Sequence, residues 1–206
     1  MAAPAIDFVS DMVCPWCFIG LRRLETALAE VPEPNLRFHP FQLDPSTPAE
    51  GRDLRSHLGA KFGDPAAMFA RVEQVARESG IPLDFSKITR MPNTLKAHTL
   101  AGRAAQKGTQ RAFVSAVFHA YFLEGEDIGD DATLVRIAAA HGFTEDEARA
   151  VLADSKLLAA TEAEAQGQAQ QGIRGVPFVI FAEKLAVSGA QPVETFREAY
   201  TKALEA

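Results

Sequence analysis

The sequence predicts an α/β fold in which a β-α-β unit opens the chain, an α-β-β-α unit closes it, and a large all-helical domain is inserted between them. Three observations predict it. Short, dense apolar segments lie near residues 5–10, 36–43 and 176–188, at the two ends of the chain. The stretch between them repeats apolar side chains at helical spacing. With 206 residues, 47% of them hydrophobic, there is ample material for one large core or two small ones.

Residues 5–10, Ala-Ile-Asp-Phe-Val-Ser, read as a buried strand. Pro15 suits the first turn of a helix, where its missing N–H does no harm. That helix runs to about Ala29, with Phe18, Leu21, Leu24 and Leu28 on one stripe, and Pro32 and Pro34 end it. Leu36 to Leu43 reads as a second strand, stopped by Asp44-Pro45. Helices are expected near 52–60, 65–79, 94–107, 110–123, 131–141, 145–153 and 155–171. In the fourth, Phe113, Val114, Val117, Phe118, Tyr121 and Phe122 form a wide apolar face. Thr144 with Glu147 has capping-box spacing, and Gly172 is placed to end the last of the seven. Residues 176–181 then read as a strand, Glu183-Lys184 as a hairpin turn, and Leu185–Ser188 as its partner. Val193 to Leu204 reads as a closing helix with Phe196, Tyr200 and Leu204 on one side. That order has a thioredoxin-like outline.

Composition narrows the function. A net charge of -6, with basic residues scattered, does not suit nucleic acid. The strongest apolar run, Val176–Ala182, is far too short to span a bilayer. The opening residues lack the basic and apolar regions of a leader, so a soluble, cytoplasmic protein is expected. Only two cysteines exist, Cys14 and Cys17, both in the one motif Cys14-Pro15-Trp16-Cys17.

Thiol–disulfide exchange needs an attacking thiolate and a second thiol to resolve the mixed disulfide. Two intervening residues put the sulfurs one helical turn apart. At a helix N-terminus, Cys14 meets unpaired N–H groups and the positive end of the helix dipole, which favour its thiolate. Cys14 is therefore the candidate nucleophile and Cys17, one turn inside, the resolving thiol. Zinc wants four ligands, but there is no second cysteine pair, and His39, His57, His98, His119 and His141 lack ligand spacing, so no metal is expected. A structural disulfide closing so small a ring would stabilise by only about 2 kcal/mol. Far along the chain, Gly175-Val176-Pro177 precedes a strand. A cis Val176–Pro177 bond would turn the Val176 backbone toward Cys14, where an extended substrate could pair.

The segment from Ile6 to Gly20 resembles the active-site region of FrnE-type proteins, a cytoplasmic branch of the DsbA family. So do Asn93–His98, Gly175–Phe178 and Ser188–Gln191. The resemblance spans about residues 5 to 204. It implies a thioredoxin-like domain of residues 1–48 and 160–206 with an inserted helical domain of residues 49–159. It also implies Cys14 and Cys17 as the redox pair and Pro177 as the cis-proline opposite them. Secreted DsbA enzymes carry Pro-His between the cysteines, whereas this chain has Pro15-Trp16, so their strong oxidant character is not carried over.

Asp7, seven residues before Cys14, is a candidate proton acceptor near the resolving thiol, with a raised pKa. Asp11 reads as a loop residue. Asn93 and His98 are candidates for the groove between domains, though His98 reads more simply as a satisfied helix histidine. Ser188 and Gln191 are candidates for contacting a small thiol ligand, and Pro15 and Trp16 for an apolar lip. The expected partners are protein thiols and disulfides, or a small thiol. No cofactor is required, and glutathione is an optional co-substrate. A second reading is a glutathione-dependent small-molecule isomerase or transferase, like the 2-hydroxychromene-2-carboxylate isomerases and kappa-class transferases. In those relatives a serine commonly stands at the first cysteine's position, whereas this chain keeps both cysteines. A third is a redox-sensing or chaperone-like binding module.

Overall fold

The computed structural model describes residues 4–205. The expectation of no leader rests partly on Met1–Ala3, which lie outside the described residues. The fold is built on a four-stranded sheet of order β2-β1-β5-β6. β1 (Ala5–Ser10) runs parallel to β2 (Asn35–Pro40), joined through α1 (Pro15–Ala27). β5 (Phe178–Phe181) lies antiparallel to β1, and β6 (Leu185–Ser188) antiparallel to β5. α9 (Val193–Glu205) closes the chain and packs on α1 and β6.

Between β2 and β5 run a two-residue strand β3 (Arg52–Asp53), then α2 (Leu54–Phe62), α3 (Ala66–Glu78) and another short strand β4 (Arg90–Met91). They are followed by α4 (Leu95–Gln106), α5 (Gln110–Phe122), α6 (Asp131–Ala139), α7 (Glu145–Ala153) and α8 (Ser155–Gln170). The thioredoxin-like fold with an inserted helical block is therefore the observed one. The inserted block is not sealed off from the sheet. α8 runs unbroken through residue 160, where a domain boundary was expected, and packs on both α4 and β2.

Local chemistry explains the elements. Pro15 is the first residue of α1, with Cys14 as its N-cap. All six apolar residues expected on one face of α5 are buried. Thr144 and Glu147 form the expected capping box at α7. Gly172 follows the C-cap of α8 at φ 94°, a conformation that suits glycine.

Four expectations are corrected. β2 stops at Pro40 rather than Leu43. Phe41 N still donates to Ser10 O at 3.0 Å, but Leu43 N is captured by Asp11 Oδ2 at 2.8 Å, which turns the chain off the sheet. The helix expected from residue 52 starts at Leu54, because Arg52–Asp53 pair with Arg90–Met91 and Asp53 caps the helix. The hairpin turn centres one residue early, on Ala182 and Glu183 at φ 52° and 58°, with Lys184 N donating to Phe181 O. Two positive φ values match the twist that a tight hairpin needs. In α9 the buried stripe is Phe196, Ala199 and Ala203, while Leu204 is 55% exposed.

Strand alternation separates two layers. Ile6 and Phe8 join the main core with Cys17, Phe18 and Leu21 of α1, whereas Val9 packs separately with Phe41 and Ile173. Asp7 shares the Val9 parity. It accepts two hydrogen bonds from Arg37, both 2.7 Å, and lies 2.8 Å from His39 Nε2. His39 Nδ1 in turn meets Glu164 of α8 at 3.1 Å. The cluster clasps β1, β2 and α8 together.

Burial alone would raise the Asp7 pKa, but the hydrogen bonds from Arg37 and His39 outweigh it and hold the carboxyl below its ordinary range. Glu164 foremost, with Asp7, raises His39 above its ordinary 6.5 against the opposing effect of burial. The stability from His39 is thus complete below about pH 6.5 and fades as pH rises through the raised folded value. That from Asp7 is present above about pH 4 and is lost as pH falls through its lowered value. The melting-temperature difference between the natural protein and His39→Gln should be largest near about pH 5.5 and shrink toward about pH 9. A difference flat with pH would show that the clasp is not ionic.

α1 and the entry to β5 touch at Gly20. A Cβ there would sit 2.7 Å from Pro177 Cγ, closer than van der Waals contact permits. The ring belongs to a constrained backbone and cannot swing away as a long side chain would. Gly20→Ala should cost about 1–3 kcal/mol, as other overpacking changes do, measured by urea unfolding. An unchanged midpoint would mean that the two segments separate freely.

Candidate active site

The site forms where β1 turns into α1. Cys14 N donates to Asp11 O at 3.0 Å, closing the turn, and Cys17 N donates to Cys14 O at 3.0 Å, opening the helix. Cys14 has extended backbone angles and no side-chain cap hydrogen bond, so its sulfur is left at the head of α1. Both cysteines are free thiols. Cys14 retains 4% exposure and Cys17 none. Burial first, and the neighbouring Cys14 second, push the Cys17 thiol well above its ordinary range. The protonated form of Cys17 is thereby favoured.

The Val176–Pro177 bond is cis. Val176 O lies 3.8 Å from Cys14 Sγ, across 162 residues of sequence. Gly189 N donates to Pro177 O at 2.8 Å, and Arg23 of α1 donates to Ala190 O at 2.8 Å. The segment before β5 is thereby pinned to α1 and to the end of β6.

A groove of about 270 Å³ opens beside Cys14. Pro15 and Trp16 form one wall, and Leu58, Phe62, Met68 and Phe69 of the inserted block form the other. Among the described residues, no charged one lines it. Among the described residues, three of the four exposed large hydrophobics (Leu43, Phe62 and Met68) belong to this groove. Tyr121 is at its floor, donating to Arg90 O at 2.9 Å, and burial pushes its phenol far above the ordinary range.

The structure brings Cys14, Cys17, Pro15, Trp16, Val176 and Pro177 together. It does not bring Asp7. That carboxylate is on the opposite parity of β1, bound to Arg37 and His39, with a lowered rather than raised pKa. Asn93 does not line the groove. Its Nδ2 donates to Thr47 O at 2.7 Å and its Oδ1 accepts from Leu95 N at 2.9 Å, so it ties one loop to the start of α4. Ser188 ends β6, and Gln191 Nε2 donates to the Ser188 carbonyl at 2.9 Å. Ser188 pairs with Phe178, and neither residue lines the groove.

Sequence reasoning reads Asp11 as a loop residue and His98 as a groove candidate that is more simply a satisfied helix histidine. Both are buried, and His98 Nε2 lies 3.5 Å from Asp11 Oδ1 without a well-formed hydrogen bond. His98 is thus not a satisfied helix histidine. The signal available was position. Asp11 is the acid closest before Cys14, on the turn that presents it. Among the described residues, no group of three or more His, Cys, Asp or Glu side chains is arranged to hold a metal.

A family model described as a DSBA-like thioredoxin domain matches residues 5–201. A probable DsbA oxidoreductase from Streptomyces coelicolor has a TM-score of 0.87 and 31% identity, over 98% of this chain and 90% of that one. Two more distant structures share the fold. A 2-hydroxychromene-2-carboxylate isomerase has a TM-score of 0.74 at 16% identity, over 98% and 96% of the two chains. The cytosolic disulfide reductase DsbM from Pseudomonas aeruginosa with GSH has a TM-score of 0.69 at 18% identity, over 98% and 100%. An uncharacterized Bacillus subtilis protein, YwbO, is 27% identical over 141 residues, which is 67% of this chain and 66%, just under two thirds, of that protein. With nearly its whole length matched by the family model, and a cysteine pair facing a proline segment at the head of α1, the chain belongs to the DSBA-like thioredoxin domain family.

Proposed function

We propose that this protein is a thiol–disulfide oxidoreductase that exchanges disulfides with protein substrates through Cys14-Pro15-Trp16-Cys17. The observation that carries the reading is the placement of Cys14 Sγ at the head of α1, 3.8 Å from the Val176 carbonyl, with Cys17 buried beneath it. In this reading the Cys14 thiolate attacks one sulfur of a substrate disulfide. The substrate S–S bond breaks and its other sulfur leaves as a thiolate. Cys17 then loses its proton and attacks Cys14 Sγ, the second substrate thiolate leaves, and the pair ends as a disulfide. Two electrons pass from the pair to the substrate, and the same steps reversed oxidise a dithiol. The Val176 backbone supplies the edge along which an extended substrate pairs, and Pro177 holds that edge in place.

The groove favours a substrate with apolar groups beside its reacting sulfur. Glutathione carries two carboxylates and an ammonium, and no wall residue of the groove is charged to meet them. Glutathione then acts as an optional co-substrate rather than as the ligand for which the groove is shaped. The same point weighs against the glutathione-dependent isomerase reading, to which the fold alone lends support. No helix among the described residues is long and apolar enough to cross a membrane. We assign the reaction to the cytoplasm because both cysteines of the chain serve one exchange motif and none is left for a structural staple.

Cys14→Ser should abolish turnover of a peptide disulfide. Cys17→Ser should keep the first step and accumulate a mixed disulfide visible on a non-reducing gel. Full turnover by Cys14→Ser would overturn the reading. Phe62→Glu should raise KM for an apolar-flanked peptide disulfide by about tenfold, the loss expected when part of an aromatic contact area is replaced by a charge. It should leave the reaction with glutathione disulfide unchanged. An unaltered KM for the peptide would remove the groove from the reading.

A further inference from the structure

We propose that the cavity between β2 and the inserted helices is a binding site for a small uncharged molecule with an apolar body, one substituted ring in size, and a hydroxyl group. The site is separate from the redox motif: among the described residues, none of Cys14 to Cys17 lines it.

The cavity holds about 260 Å³ and is walled by β2, α4, α5 and α8. An apolar protein cavity of about 150 Å³ takes up benzene, so this one has room for a ring with a substituent. α4 presents His98, Ala101, Gly102 and Ala105 to it, at helical spacings of three and four. Beyond the histidine these side chains are a methyl group or nothing, which leaves the space in front of the imidazole open. Gly102 lies inside a helix, where glycine is the least favourable residue after proline. No protein atom lies within 4 Å of where its Cβ would be, so close packing does not require it. Gly102 and Ala105 are exposed and form the mouth of the cavity.

The inner end is different. Met12, His98 and Val114 are nearly fully buried there. Met12 and Val114 supply apolar surface. His98 Nε2 has no hydrogen-bond partner and lies 3.5 Å from Asp11 Oδ1, which is also unpaired. A buried polar side chain left so is unfavourable unless a further group meets it. A neutral imidazole has one donor and one acceptor nitrogen. A hydroxyl both donates and accepts, so it can meet the ring in either tautomer.

Charge near the mouth selects against ions. Arg37 donates to Asp7 at 2.7 Å, and His39 lies between Asp7 at 2.8 Å and Glu164 at 3.1 Å. With His39 protonated, these four groups carry no net charge. An entering anion meets Glu164 and an entering cation meets Arg37. Either gives up its water for a cluster whose charges are already matched.

Benzyl alcohol is the probe. Its uptake by the whole protein is read from amide shifts in a proton–nitrogen correlation spectrum and from a rise in melting temperature, since a ligand seated only in the folded state stabilises it. Saturable binding in the millimolar range is expected, with the largest shifts at Phe38, Ala101 and Gly102. Toluene lacks the hydroxyl, and benzoate and benzylammonium carry charge at a similar size. Each should bind at least about tenfold more weakly. Gly102→Leu puts a bulky side chain at the mouth, at a position where leucine is the better helix former. It should fold, keep thiol exchange unchanged and lose benzyl alcohol binding. His98→Phe should erase the preference for benzyl alcohol over toluene. If His98→Phe folds poorly, Gly102→Leu still decides. No saturation up to about 20 mM, or unchanged binding by Gly102→Leu, removes the site. Toluene or benzoate held as tightly as benzyl alcohol removes the ligand class. Neither result touches the exchange reading, which is tested at the cysteines.

Discussion

The contact between Gly20 and Pro177 is the constraint on which the site depends. α1 supplies the sulfurs, and the segment before β5 supplies the carbonyl that faces them. They come from chain positions more than 150 residues apart, so only tertiary packing can set their separation. The absence of a side chain at Gly20 lets the proline ring lie directly on the helix. One turn further along α1, Arg23 holds the Ala190 carbonyl and reaches Ser79 Oγ at 2.9 Å, at the end of α3. A single helix thus registers the redox motif, the proline segment and the inserted block against one another. An insertion that makes one wall of the groove cannot drift relative to the cysteines without first breaking that registration.

Much of this was legible in the sequence because it is local. The helix start at Pro15, the α5 face, the capping box and the glycine after α8 are each determined by residues within a few positions of one another. The placing of both cysteines at the start of α1 was legible for the same reason, since they flank the proline that opens the helix. The misreadings share a different cause. β3 and β4 are two residues each, too short to show a period, and exist only by pairing with each other from distant parts of the chain. β2 stops early because a carboxylate from the β1–α1 turn takes a backbone N–H, an event that no pattern within β2 announces.

The contrast between Asp7 and Asp11 is the instructive case. Both are acids shortly before the motif, and a buried acid near the thiols is a sound physical expectation. On a strand, one step in sequence reverses the facing of the side chain. Asp7 therefore falls on the layer of Val9 and finds Arg37 and His39 waiting on the neighbouring strand. Asp11 lies past the strand end, where alternation no longer applies and the turn can fold its carboxylate inward. The decision between them needed the register of β1 with β2 and the position of α4, neither of which is written near either residue.

The inserted block gives the molecule two unlike hollows. Beside the motif, apolar walls from α2 and α3 exclude water from Cys14, which favours apolar substrate contacts and strengthens any charge interaction made there. The other, of about 260 Å³, takes polar side chains from β2, α4, α5 and α8 and no residue of the motif. A charged ligand is therefore disfavoured at the cysteines, because no wall there can replace the water it would give up. That selectivity is supplied largely by a segment far from the cysteines in sequence, which is why the registration of α1 against the inserted block matters for chemistry as well as for stability.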